Sequence, residues 1–204
     1  MSSENAQLQL LRYQLNPHFL FNTLNAVNAL IANNDNERAQ AMIVKLSRFL
    51  RYSLDSNPDQ KIPLEQEIRA LELYIDIEKA RFGDRLNFSL SLPATASRAL
   101  IPSLLLHPLL ENAMKYAIES NESGGSISID AWTDAERLHL QIRDSGTQAD
   151  LHDEKIRSRD GRGVSLRETA DRLKKFYAEH YELELTTAAD DSLTSLIVLP
   201  LEFV

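Results

Sequence analysis

Apolar spacing divides the chain into a helical first part and a mixed remainder. Residues 4–33 predict a helix, with Leu8, Leu11 and Leu15 on one stripe. Beyond His18 the apolar residues Phe19, Leu20, Phe21, Leu24, Val27, Leu30 and Ile31 spread almost all round. That is the pattern of a helix covered on most sides. "NNDNE" combines a turn with a helix N-cap signal, and residues 36–55 predict a second helix. Its Ala39, Met42, Ile43, Leu46, Phe49, Leu50 and Leu54 point to a core. Two helices with a short link form an antiparallel hairpin. One this apolar needs a partner, so a second copy is expected to complete a four-helix bundle.

The character changes after "DSNPDQK", the best linker. Pro63 opens a third helix over 63–82, and "RLNFSLSL" alternates as a strand does. Residues 101–120 and 163–180 predict helices. "GGSISIDAW" with "RLHLQIRD", and "LELTTA" with "LTSLIVLPL", predict two hairpins. Residues 145–162, charged and rich in small side chains, predict a mobile loop. The fold class is α+β: a helical segment at 1–60, then helices on one face of a mostly antiparallel sheet at 61–204.

Charge narrows the partners. The net charge of −8 and pI of about 5.2 oppose a general nucleic-acid binder, which needs a basic surface, and an anionic membrane surface. No cysteine is present, which removes disulfides, thiolate metal sites and Cys nucleophiles. "ALIPSLLLHPLL" is too short and too interrupted to span a bilayer, and "MSSENAQ" has no signal-peptide core. A cytoplasmic setting is expected, either alone or as the cytosolic part of a membrane-bound sensor.

Four stretches could carry chemistry. In "NPHFLFN", Pro17 opposes a helix interior and would kink the turn to present His18 outward. Gln14, His18, Asn22 and Asn25 make a polar stripe at steps of four, four and three. It reads either as a buried register device or as a nucleophilic imidazole, since histidine titrates near neutrality. In "HPLLENAMKYAI", Glu111 and Lys115 are spaced for a solvated i,i+4 pair. The Asn112 amide suits Mg²⁺, which takes few protein ligands beside phosphates, and Lys115 could meet a phosphate. In "IRDSGT", Asp144 ends a strand and Gly146 follows. This is a plain hairpin end, or a carboxylate that accepts from an adenine amino group. In "RDGRGVSLRETADRL", Gly161 and Gly163 precede a helix and could admit phosphate oxygens to its positive end.

The order and spacing of these stretches resemble the LytS-type sensor histidine kinases, from "LQLLRYQLNPHFLFNTLN" through "YIDIEKARFGDRL" and "IPSLLLHPLLENAMKY" to "GRGVSLRETADRLKKFY". The resemblance implies a dimerising phosphoacceptor segment followed by a Bergerat-fold ATP-binding domain. It implies His18 as phosphoacceptor, with Asn22 and Glu111 in the catalytic set. It also implies ATP held by Asn112, Lys115, Tyr116, Asp144, Gly146, Gly161, Gly163, Ser165 and Leu166, and Mg²⁺ on Asn112. Arg81 matches a branch-typical arginine, or pairs with Glu78. The implied partners are a second copy and a response-regulator receiver domain, with a LytTR-type regulator expected. Some boxes depart from the family pattern: Tyr116 and Ala117 stand where His-Gly is usual, Gln148 replaces the second adenine-box glycine, and Ser165 the third lid glycine. Two readings follow. One is a kinase core that phosphorylates His18. The other is a degenerate dimeric module that docks a regulator or acts as a phosphatase, with little ATP turnover.

Overall fold

The computed structural model describes residues 16–146, 162–188 and 192–203. They form two compact units. One is the described part of Met1–Asn57 with Arg69–Gly83, and the other is Pro58–Ile68 with the described part of Asp84–Val204.

The first unit contains α1 (Pro17–Ala32), α2 (Asn36–Asp55) and most of α3 (Leu64–Phe82). Pro17 is not a kink inside a longer helix, because α1 begins there. Asn16 is its N-cap, and Asn16 Oδ1 accepts from the His18 and Phe19 N–H groups at 3.1 and 3.3 Å. The first helical position is where a missing N–H costs nothing and a fixed φ helps. The expected helical stretch before Asn16 lies outside the described residues. Asn34, at φ 59°, turns the chain in the left-handed region that asparagine tolerates. Asp35 then caps α2 by accepting from the Arg38 N–H.

Three rings make the core of this unit. Phe19 lies 5.4 Å from Phe49 and 4.9 Å from Tyr74, centroid to centroid, edge-on and tilted respectively. Such pairs add about 0.5–1.5 kcal/mol each beyond the area they bury. Only Phe19, Thr23 and Val27 of α1 are buried, so the expected all-round burial does not occur within one chain. Phe21 is 68% exposed, and Leu24, Ile31, Ile43, Val44 and Leu54 are about half exposed.

The second unit holds β1 (Lys61–Pro63), the first turn of α3, β2 (Leu86–Ser91), the single turn α4 (Ala94–Ser97) and β3 (Leu100–Pro102). It continues with α5 (His107–Ala113), β4 (Gly125–Asp134), β5 (Arg137–Asp144), α6 (Arg162–Tyr177), β6 (Glu182–Thr187) and β7 (Leu193–Pro200). β1 pairs with β3. The main sheet runs β2-β4-β5-β7-β6, antiparallel except for β2 beside β4. Alternation puts Ile127, Ile129, Ala131, Leu138, Leu140, Ile142, Ile197 and Leu199 on the buried face, with α5 and the π-helical turn after it against β5 and β4, and α6 beside α5.

The helix expected over 101–120 is broken up. Pro102 ends β3, Leu104 adopts φ 58°, and α5 starts only at His107, with Pro108 in its first turn. From Met114 to Glu119 the helix widens to π geometry. Gly124, at φ 76°, is required where it stands, since a Cβ there would run into the Arg85 carbonyl.

Candidate functional site

In the first unit His18 occupies the exposed first turn of α1. Asn22, one turn on, brings its Nδ2 to 3.0 Å from His18 Nε2 and 3.3 Å from Nδ1. The amide thus lies against the ring, and which group donates depends on the tautomer. Its N–H donates to the unprotonated ring nitrogen, or its flipped oxygen accepts from the protonated one. Asn25 is exposed, and Gln14 lies outside the described residues. Arg81 donates to both carboxylate oxygens of the buried Glu78 at 2.7 Å and stacks on Phe82. The i,i+3 pair expected for it is therefore present.

In the second unit the end of β5 is tied down by short-range bonds. Asp144 is 5% exposed, and its Oδ1 accepts from the Gly146 N–H at 2.9 Å. Ser145 and Ser126 exchange two bonds: Ser145 N–H to Ser126 O at 3.0 Å, and Ser126 N–H to Ser145 Oγ at 2.8 Å. A Cβ at Gly146 would sit 2.6 Å from Asp144 Oδ1 and 3.6 Å from Tyr116. A side chain at 146 would therefore collide with the Asp144 carboxylate. Asp144, Gly146 and Tyr116 are brought together, although they are some 30 residues apart in sequence.

The π-helical turn explains how Tyr116 reaches this position. An extra residue per turn rephases the helix, a distortion frequent at functional sites. Lys115 is exposed with its Nζ 5.2 Å from the Tyr116 ring centroid. Glu111 meets His107, with His107 Nε2 3.3 Å from Glu111 Oε1, rather than making the expected pair with Lys115 its principal contact. Asn112 is half-buried on α5. Gly163 and Ser165 lie on the first turn of α6 and Leu166, half-buried, follows. Gly161, Gln148 and the expected mobile loop, apart from its ends, lie outside the described residues.

Sequence reasoning missed three polar residues at the start of α5. Glu67 on α3 is 1% exposed and accepts from the Leu104 and Leu106 N–H groups at 2.9 and 3.1 Å. Arg172 on α6 donates to the Ser103 carbonyl. His107 is the third. Burial lowers its pKa, but the hydrogen bond and charge of Glu111, with the charge of Glu67, outweigh burial, and the net shift is upward from 6.5. Folding therefore tightens proton binding at His107. The resulting stabilisation is complete below about pH 6.5 and is lost as pH rises through the folded-state pKa. Urea unfolding of the parent and His107→Gln across pH 5.5 to 9 (roughly the window around the histidine value) should show the parent's advantage largest at the acid end. An advantage that does not change with pH would refute the charged pair.

Among the described residues no three His, Asp or Glu side chains converge as a metal cage. Asn112, half-buried on α5, carries a side-chain amide oxygen of the kind that takes Mg²⁺ together with substrate phosphates. The buried Asp144 carboxylate, Gly146 and the backbone and Cβ of Tyr116 form one cluster at the end of β5.

Residues 6–86 match the model of the histidine kinase family. Sensor histidine kinase YpdA of Escherichia coli is 33% identical over 180 residues, 87% of this chain and 32% of that protein. Sensor protein LytS of Staphylococcus haemolyticus is 34% identical over 147 residues, 72% of this chain and 25% of that protein. The chain belongs to the histidine kinase family. It spans about a third or less of the length of these relatives. The fold agrees. The catalytic domain of histidine kinase ThkA superposes with a TM-score of 0.53 at 14% identity, covering 69% of this chain and 93% of that one. The histidine kinase domain of the blue-light activated kinase of Erythrobacter litoralis EL346 gives 0.51 at 15% identity, covering 98% and 96%. The sheet with helices on one face is thus a histidine kinase catalytic-domain fold. No helix among the described residues is long and apolar enough to cross a membrane.

Proposed function

We propose that this chain is the ATP-dependent kinase core of a two-component sensor, with His18 as its phosphoacceptor. The carrying observation is the placement of His18: exposed, on a helix start fixed by Asn16 and Pro17, with Asn22 against its ring. With the Asn22 oxygen accepting the ring proton, the other ring nitrogen keeps its lone pair free for attack. That nitrogen forms a bond to the γ-phosphorus of ATP as the bond to the β,γ-bridging oxygen breaks and ADP leaves. The ring proton passes to solvent or to a general base, the role proposed for Glu111. When bound, Mg²⁺ neutralises charge on the β- and γ-phosphates. Asn112 would hold the metal, and Lys115 would meet the phosphates as a point charge. Asp144 accepts from the adenine amino group, while Gly146 and Tyr116 shape the purine slot. Gly161, Gly163, Ser165 and Leu166 border the phosphates. The chain's part is positioning and charge placement.

The exposed apolar residues Phe21, Leu24, Ile31, Ile43, Val44 and Leu54 support pairing of two hairpins as a four-helix bundle. The phosphoryl group then passes to an aspartate of a receiver domain, and a LytTR-type regulator suits the LytS-like sequence. Residues 1–60 would serve dimerisation and phosphoacceptance, and residues 61–204 ATP binding. The test is incubation of the purified chain with Mg²⁺ and γ-labelled ATP. An acid-labile, base-stable label is expected. Absence of both label and nucleotide binding would favour the docking module, a reading supported by Gln148 and Ser165 at glycine positions of the boxes.

A further inference from the structure

The helix that carries Glu111 and Asn112 has no cap of its own. Its N-cap residue is Leu106, whose side chain offers no acceptor. Uncapped N–H groups at a buried helix start are costly. Here α3 supplies the acceptor. Each oxygen of the Glu67 carboxylate takes one N–H, Oε2 from Leu104 and Oε1 from Leu106. The intervening bend forces Leu104 to φ 58°, a region costly for leucine. A strained conformation persists only where its surroundings over-determine it, and Arg172 grips the same segment through the Ser103 carbonyl. His107, the next residue, is in turn held by Glu111. A chain of contacts thus runs from Glu67 through residues 103–107 to the residue beside Asn112.

We infer that Glu67 is a positioning residue: its carboxylate fixes the start of α5 and so sets where Glu111 and Asn112 stand for the nucleotide. This rests on the kinase reading for its effect on ATP, but not for its effect on α5. Glu67→Gln keeps the size of the side chain and turns one acceptor into a donor facing an N–H. Glu67→Asp keeps the charge and withdraws it by one methylene.

The experiment compares the parent, Glu67→Gln and Glu67→Asp, well below their unfolding temperatures. Amide hydrogen exchange is followed at Leu104, Leu106 and through α5, and MgATP affinity is measured by titration. Loss of one charge-assisted bond predicts about tenfold faster exchange at α5 and about tenfold weaker MgATP binding for Glu67→Gln. Glu67→Asp should fall between, and it carries the test if the Gln variant does not fold. A lower unfolding temperature with unchanged exchange in α5 and unchanged affinity would mean a purely structural carboxylate and overturn the inference. If the parent itself binds no MgATP, the kinase reading fails and the exchange comparison alone decides: faster exchange at α5 upholds the positioning role, equal exchange overturns it.

Discussion

His18→Gln should abolish labelling by γ-labelled ATP while leaving unfolding stability within about 0.5 kcal/mol of the parent. Glutamine has no nucleophilic ring nitrogen, so the bond to phosphorus cannot form. The substitution leaves the helix start intact, because Asn16 bonds to the backbone N–H of His18 and not to its side chain. His18 is exposed, and the unit's aromatic core of Phe19, Phe49 and Tyr74 does not include it. Self-association should also persist, since the exposed apolar surface lies on Phe21, Leu24, Ile31 and the α2 residues. Sedimentation beside the labelling assay separates the two roles of the polar stripe. A variant that falls apart into monomers would mark His18 as a register device. Persistent label would place the phosphoryl group on another residue.

For Asp144→Asn the expected result is a 10- to 100-fold loss of MgATP affinity, about the value of one hydrogen bond to a charged acceptor, ~1.5–3 kcal/mol. The carboxylate can serve the Gly146 N–H and a base amino group together, because both oxygens accept. An asparagine has one acceptor. Once its oxygen takes the Gly146 N–H, its NH₂ faces another donor. Folding should survive, since residue 144 holds its place in the sheet by backbone pairing with Ile127 and Leu193. Calorimetric titration measures the change, and an unaltered affinity would remove Asp144 from the base site.

Where periodicity was clean, the sequence was readable. The spacing of Ala39, Met42, Leu46 and Phe49 gave α2 its true extent, and alternation marked β4, β5 and β7. The start of α1 was misread because apolar residues continue upstream of it. The pair Asn16-Pro17, a cap followed by a first-turn proline, was the available signal. Residues 101–120 misled for the opposite reason: Ile101 to Leu106 are all buried, so no period distinguishes bend from helix. At the candidate site, Asp144 and Gly146 stand out as a short motif, but their nearness to Tyr116 depends on the π-helical turn. Glu67 was invisible as a functional group. A glutamate in a helix reads as a solvated charge, and only tertiary structure puts two backbone N–H groups against it.

One further property of α3 follows from simple helical phase. Glu67 and Glu78, both 1% exposed, are eleven residues apart, so they share a face about three turns apart, roughly 16 Å along the axis. One engages the start of α5 and the other Arg81. A single residue inserted between them would turn one carboxylate by about 100° relative to the other, whereas seven would leave only about 20° of mismatch. Arg81 lies beyond such an insertion together with Glu78, so their pair would turn as one body and survive a one-residue change in the length of the helix.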